Sequence, residues 1–265
     1  MCVVDQVVWG VTQLLDVVYI ACAGSSAIIR FDAVKHRRLA DITVKDLSDP
    51  YDIAACEQTA RLYVADRPVT GAACVWRVSS DGEDIRRFLP KSPRDTISPD
   101  ALSVTSSRLL VTSHYTTNQL RQFDAVGDEL RRVDLPDDME PRHAVESPTG
   151  TFIVSHRNTQ LNQYQVSEVN TEGQVLRQFS GSRLLPLGYT PHAAVDSQGN
   201  VFVADYHRRR ILLLNSKLAL RRVIIDEHQL NYKEPRRLCY IEQSGQLLVG
   251  FFGDTHLPVF DVLRR

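Results

Sequence analysis

No two cysteines in this sequence stand at C-x-x-C spacing: Cys2, Cys22, Cys56, Cys74 and Cys239 are odd in number and widely scattered. That excludes a zinc-ribbon or thioredoxin-like motif and points to a reduced, cytoplasmic setting. The absence of any N-x-S/T acceptor is in keeping with that compartment. Charge of one sign is equally scarce. A formal net charge of −1 supplies no global positive field to hold nucleic acid through phosphate neutralisation, so any basic surface is local. There is no G-x-x-x-x-G-K-S/T phosphate loop, no H-E-x-x-H zinc helix and no G-x-S-x-G nucleophile elbow. No segment has a convincing amphipathic helical period. The apolar stretch 7–24 lacks a basic flank and carries Asp16, so it reads as part of the fold rather than a targeting or membrane segment.

What is present is a repeat. Hydrophobic residues make up 43% and charged residues 24%, which suits a folded core and excludes disorder as the main reading. An apolar strand pattern recurs as VVYIAC (17–22), RLYVAD (61–66), RLLVTS (108–113), TFIVSH (151–156), VFVADY (201–206) and QLLVGF (246–251). A shorter apolar run precedes each, usually led by proline, as in DPYDIAAC, SPDALSV, EPRHAVE, TPHAAVD and EPRRLCY. A third strand follows, such as AIIRFD, CVWRVS or RILLLN, and then a basic fourth segment whose first arginine falls at Arg37, Arg86, Arg131, Arg177 and Arg221. That period is blade length. Short strands separated by turns such as SDGED, SPTG and DSQGN predict a radial array of antiparallel sheets, not a helical solenoid.

The copy TPHAAVDSQGNVFVADYHRRRILLLN (190–215) resembles the NHL repeat: a proline, an apolar-A-V-D inner strand, a polar-glycine turn, a V-A-D strand and basic residues leading into the third strand. The resemblance covers nearly the whole chain and implies an all-β, six-bladed β-propeller with three to four antiparallel strands per blade. The expected organisation is one domain over 1–265, with blades at about 6–47, 48–92, 97–136, 139–181, 189–226 and 233–265. The sixth copy ends after its third strand, so only about Met1 to Asp5 is available to complete that blade. The arginine pairs fall in the outermost strands, where charge discourages pairing with another chain. Asp66, Asp196 and Asp205 belong to the repeat signature and are expected to hold turns and strand ends.

In a propeller, the loops before the first strand and between the second and third share one face. His143 and His192 then lie where inner strands begin, His114, His156, His207 and His256 lie in second-to-third loops, and His228 precedes the last blade. This predicts a histidine-bearing working face, since polar loops on a rigid scaffold commonly carry function. Arg142, His156, Arg157, His192, His207, Arg208, Arg209, Arg236 and Arg237 form its candidate binding set over blades four to six, with Tyr51, Tyr115, Tyr206 and Phe252 nearby. The acidic residues Glu140, Asp205, Asp226, Glu227 and Glu234 oppose this basic patch.

The expected function is non-enzymatic recognition of a protein or a short single-stranded RNA by a monomeric propeller, with no cofactor and no membrane. NHL propellers of tripartite-motif proteins serve as recognition domains of ubiquitin ligases, and the resemblance implies a comparable context. This chain has none of the RING or B-box metal spacing itself. The alternative is a metal-dependent lactonase- or esterase-like hydrolase at the channel mouth, for which Asp52, Asp100, His143 and His192 are the candidate ligands. That mixed set fits neither calcium nor zinc cleanly.

Overall fold

A computed structural model of the protein describes residues 2–3, 6–92, 97–106, 108–113, 117–182, 185–189 and 192–262. Six antiparallel sheets of three or four strands follow one another along the chain, with a two-stranded sheet besides. Blade one comprises Val8–Leu14, Val17–Cys22, Ala27–Asp32 and Ile42–Thr43. Blade two comprises Pro50–Cys56, Arg61–Asp66, Cys74–Ser79 and Ile85–Leu89, and blade three Ala101–Thr105, Arg108–Thr112, Gln119–Phe123 and Glu129–Asp134. Blade four runs through Met139–Glu146, Phe152–Asn158, Gln163–Val169 and Val175–Phe179; blade five through Ala193–Val195, Val201–Asp205, Arg210–Leu214 and Leu220–Ile225. Blade six has Pro235–Ile241, Gln246–Phe251 and Val259–Asp261. The expected six-bladed propeller is what the chain forms. A 3-10 turn at Tyr206–Arg208 is the one helical element among the described residues, and no helix is long and apolar enough to cross a membrane.

The burial gradient across each blade explains the sequence pattern. Second strands are covered on both faces by neighbouring blades, so VVYIAC, RLYVAD and VFVAD read as continuous apolar runs instead of alternating ones. Outermost strands are half in solvent, and Val175–Phe179 is exposed along most of its length. Here lie the arginine pairs Arg86–Arg87, Arg131–Arg132 and Arg221–Arg222. The core is divided into wedges. One apolar cluster fills the space between blades one and two, for example Leu14, Tyr19 and Ile28 against Ile53 and Leu62, and a similar cluster fills every other interface round to blades six and one.

The ring closes at that last interface. Ile241, Leu248 and Leu257 pack with Val8, Val11 and Ile20. Cys2–Val3 pairs antiparallel with His256–Leu257, Cys2 opposite Leu257, in a two-stranded sheet beside the three strands of blade six. Lys233 and the neighbouring His256 both bond to Asp254 at the same seam.

The signature aspartates tie loops down. Asp66 accepts the backbone N–H of Asp49 at 2.8 Å and the Trp76 indole N–H at 3.1 Å. Asp205 accepts from Gly188 N–H and Arg210, while Asp196 accepts the N–H groups of Gln198 and Asn200 inside the DSQGN turn. Gly199 in that turn has φ +77°, a conformation that disfavours residues with a Cβ.

Candidate functional site at the channel mouth

Four inner strands begin with a bulge, at Val8/Gly10, Pro50/Asp52, Pro141/His143 and Pro235/Arg237. A bulge inserts one residue and re-aims the side chains around it. Trp9, Tyr51, Arg142 and Arg236 are the inserted residues, and Gly10, Asp52, His143 and Arg237 follow them. Proline suits the position before each of the last three bulges because it offers no N–H to the interrupted ladder.

The residues after the bulges meet on the ring axis. Arg237 Nε lies 3.3 Å from Asp52 Oδ1, joining blades six and two, and both side chains are buried. The rings of His143 from blade four and His192, just before blade five, stack with centroids 3.8 Å apart. One ligand-type atom each of Asp52, His143 and His192 lies within 4.8 Å of the others. Residues of blades two, four, five and six touch one another only because their inner strands face a common axis. Blade one contributes Gly10, where a Cβ would stand 2.7 Å from Ile53 N and 3.0 Å from Asp52 Cα.

Burial governs the electrostatics of this floor. It pushes the Asp52 carboxyl up, against the opposing pull of Arg237 and the N–H groups of Leu102 and Ile53. Burial, reinforced by Arg237, lowers His143 to about 3. Burial also lowers His192, with His143 and Arg237 adding to it. Both imidazoles are neutral at physiological pH. Ala193 N–H donates to His143 Nδ1 at 3.4 Å, which places the ring proton on Nε2. That buried nitrogen faces the Leu102 carbonyl, which opposes the shift.

One carboxylate and two imidazoles are a metal-like set by residue type. The arrangement argues against a cation. Arg237 already neutralises Asp52, and both carboxylate oxygens accept hydrogen bonds, Oδ1 from Ile53 and Arg237 and Oδ2 from Leu102. His143 offers the floor a protonated Nε2, and two rings stacked face to face do not aim lone pairs at one point. Asp100 lies apart from the set, paired with Arg67.

Above the floor, the inserted residues form an aromatic and cationic rim. Trp9 and Tyr51 contact at 4.6 Å between centroids. The Arg236 guanidinium sits 3.8 Å from the Trp9 ring centre, 5.3 Å from Phe252 and 5.9 Å from Tyr51. Across the mouth, Arg142 lies over Tyr189 at 5.5 Å, and Tyr189 meets Tyr164 and Tyr206 edge-on. Tyr206 in turn contacts Phe252 at 6.1 Å.

The sequence-predicted set divides accordingly. Arg142, His192, Arg236 and Arg237 come together at the mouth, as do Tyr51, Tyr206 and Phe252. His207 and Arg208 are exposed on the adjoining 3-10 turn, with His207 5.7 Å from Tyr189. Arg157 bonds to Asn162 and faces Glu140 at 3.6 Å; Arg209 faces Glu234 at 3.9 Å. His156 is not in a loop. Its strand continues to Asn158, and the side chain is buried inside blade four, where its Nε2 contacts Ser167 Oγ at 2.8 Å and burial lowers its pKa to about 4. Among the described residues, the histidines expected on one face do not share an exposed surface: His143, His156 and His192 are internal, while His228 binds Tyr232 and His256 binds Asp254. His114 and Tyr115 lie outside the described residues. Trp9, Tyr189 and Arg67 were not expected. Trp9 is hidden by the degenerate first repeat, which lacks the leading proline, but its alignment with Tyr51, Arg142 and Arg236 was available in the sequence.

No protein-family model matches the chain, and no curated protein matches it in sequence. Solved structures match its shape. A protein of unknown function from Bacteroides thetaiotaomicron superposes with TM-score 0.71 at 12% identity, over 96% of this chain and 69% of that one. Hydrazine synthase from Kuenenia stuttgartiensis superposes with TM-score 0.67 at 12% identity, over 97% and 96%. A catalytically inactive His→Ala variant of virginiamycin B lyase from Staphylococcus aureus, solved with quinupristin, gives TM-score 0.67 at 15% identity, over 93% and 78%. At these identities the likeness is one of fold.

Proposed function

We propose that this propeller is a recognition module that seats a protein segment on the aromatic and arginine-lined mouth of its central channel. The observation that carries this reading is the setting of Arg236, a half-buried guanidinium bordered by Trp9, Tyr51 and Phe252. Arginine beside tryptophan and tyrosine, in a site sheltered from water, is the composition of binding hot spots. The NHL-type repeat supports the same reading, since the propellers of tripartite-motif proteins are recognition domains.

Protein is favoured over RNA because most of the basic patch is already neutralised. Glu140 faces Arg142 at 3.1 Å and Arg157 at 3.6 Å, Glu234 faces Arg209 at 3.9 Å, and Asp52 holds Arg237 at 3.3 Å. Few guanidinium groups remain to release counterions from a phosphate chain. Hydrolysis is disfavoured because the channel floor suits hydrogen bonding better than a cation.

The test is selection of a random-sequence peptide library on the intact chain, followed by rebinding to variants. Trp9→Ala and Tyr189→Ala should weaken the selected peptides by about tenfold or more each, and Arg131→Ala on an outer strand should not. Peptides that ignore both mouth variants would overturn the reading.

A further inference from the structure

We infer that the mouth selects an acidic side chain within the bound segment, with the Arg236 guanidinium as the carboxylate anchor. This rests on the reading of the mouth as a protein-recognition site and specifies its ligand.

The inference comes from an account of donors and acceptors. The buried and half-buried arginines around the channel have carboxylate partners, as with Arg237 and Asp52, Arg142 and Glu140, Arg67 and Asp100, and Arg210 and Asp205, while Arg208 on the 3-10 turn is exposed to water. Arg236 is different. Its Nη2 donates to the Tyr51 hydroxyl at 3.3 Å, its Nε is buried with no acceptor, and no carboxylate pairs with it among the described residues. Burial and the neighbouring Arg237 both oppose its charge. Taking a charge out of water without a counter-ion is costly, so an anion arriving here is bound strongly.

A second orphan group points the same way. The Trp9 indole nitrogen is a buried donor without an acceptor. Trp9 and Arg236 are in direct contact, so their free N–H groups belong to one site. Such a surplus of donors is met by a ligand rich in acceptors. A carboxylate provides two oxygens in the plane of the guanidinium fork.

Charge balance separates a carboxylate from a phosphate. The one half-buried guanidinium without a carboxylate balances one negative charge, whereas a phosphate chain would also meet Glu140 and Glu234 at the rim. The flanks are apolar. Phe252 is 51% exposed beside Arg236, and Trp9 and Tyr51 lie on its other sides. An acidic residue set between apolar or aromatic neighbours in a peptide matches this layout.

The experiment uses the selected peptides. They should share an aspartate or glutamate at one position beside an apolar residue. Replacing that residue with its amide should weaken binding about 30-fold, and Arg236→Gln should do the same. Combining the two changes should cost little more than either alone, because they break the same contact. Arg236→Lys keeps the charge but not the fork and should recover only part of the affinity, while thermal unfolding establishes that each variant is folded. Selected peptides without a fixed acidic position, yet sensitive to Trp9→Ala, would overturn the carboxylate anchor and leave the mouth as the binding site. Peptides insensitive to both residues would overturn the anchor and the site together. Binding of a uridine oligonucleotide that is abolished by Arg236→Gln would replace the acidic peptide with a phosphate ligand.

Discussion

Arg237 and Asp52 stand 185 residues apart in sequence and 3.3 Å apart across the channel, each nearly sealed from solvent. The pair links blades six and two over the top of blade one. Removing one member leaves the other charge buried. Arg237→Met is therefore expected to lower stability by about 3–5 kcal/mol, and the double change Asp52→Leu with Arg237→Met to cost much less. Urea unfolding measures both. A single variant as stable as the parent would show that the pair does not brace the channel.

Stability should also fall early on acidification. His143 and His156 have folded pKa values depressed to about 3 and about 4 by burial, from an ordinary 6.5. The unfolded chain takes up protons below pH 6.5 while the folded chain does not, so stability is complete above that pH and declines as pH drops towards the folded values. Each such histidine contributes a slope of about 1.4 kcal/mol per pH unit well below 6.5. Melting temperatures between pH 7 and pH 5 should drop, and His156→Gln should flatten the decline. An unchanged slope in that variant would contradict the buried, neutral assignment.

Gly10 tests the close approach of blades one and two. An added methyl would meet the backbone of Asp52 and Ile53 at 2.7–3.0 Å, where no flexible side chain can move aside. Gly10→Ala should cost about 1–3 kcal/mol from overpacking. The exposed Gly253 has open space around its Cβ position but φ +69°, so its replacement reports backbone strain alone and provides the comparison.

The repeat was legible because each second strand is buried on both faces, which writes a continuous apolar run into every copy. Blade one shows where this fails. The basic segment beginning at Arg37 was expected to be its fourth strand, but pairing concentrates at Ile42–Thr43, and Arg38 makes only an isolated bridge to Phe31. Within the site, Asp52, His143, Arg236 and Arg237 could be placed because proline marks the start of their strands. His156 was misplaced because its position, equivalent to Asp66 and Phe251 in other copies, is still a paired strand residue opposite the proline and not the start of the loop. Tyr189 lies in a connecting segment with no repeat signature, and only the folded ring brings it to Arg142.

The most direct test of the mouth as the binding site is backbone hydrogen exchange with and without a selected peptide. The account predicts added protection at 9–10, 51–52, 188–189, 236–237 and 251–252, with none at 86–89, 131–134 or 177–179. Protection confined to those outer strands would contradict it.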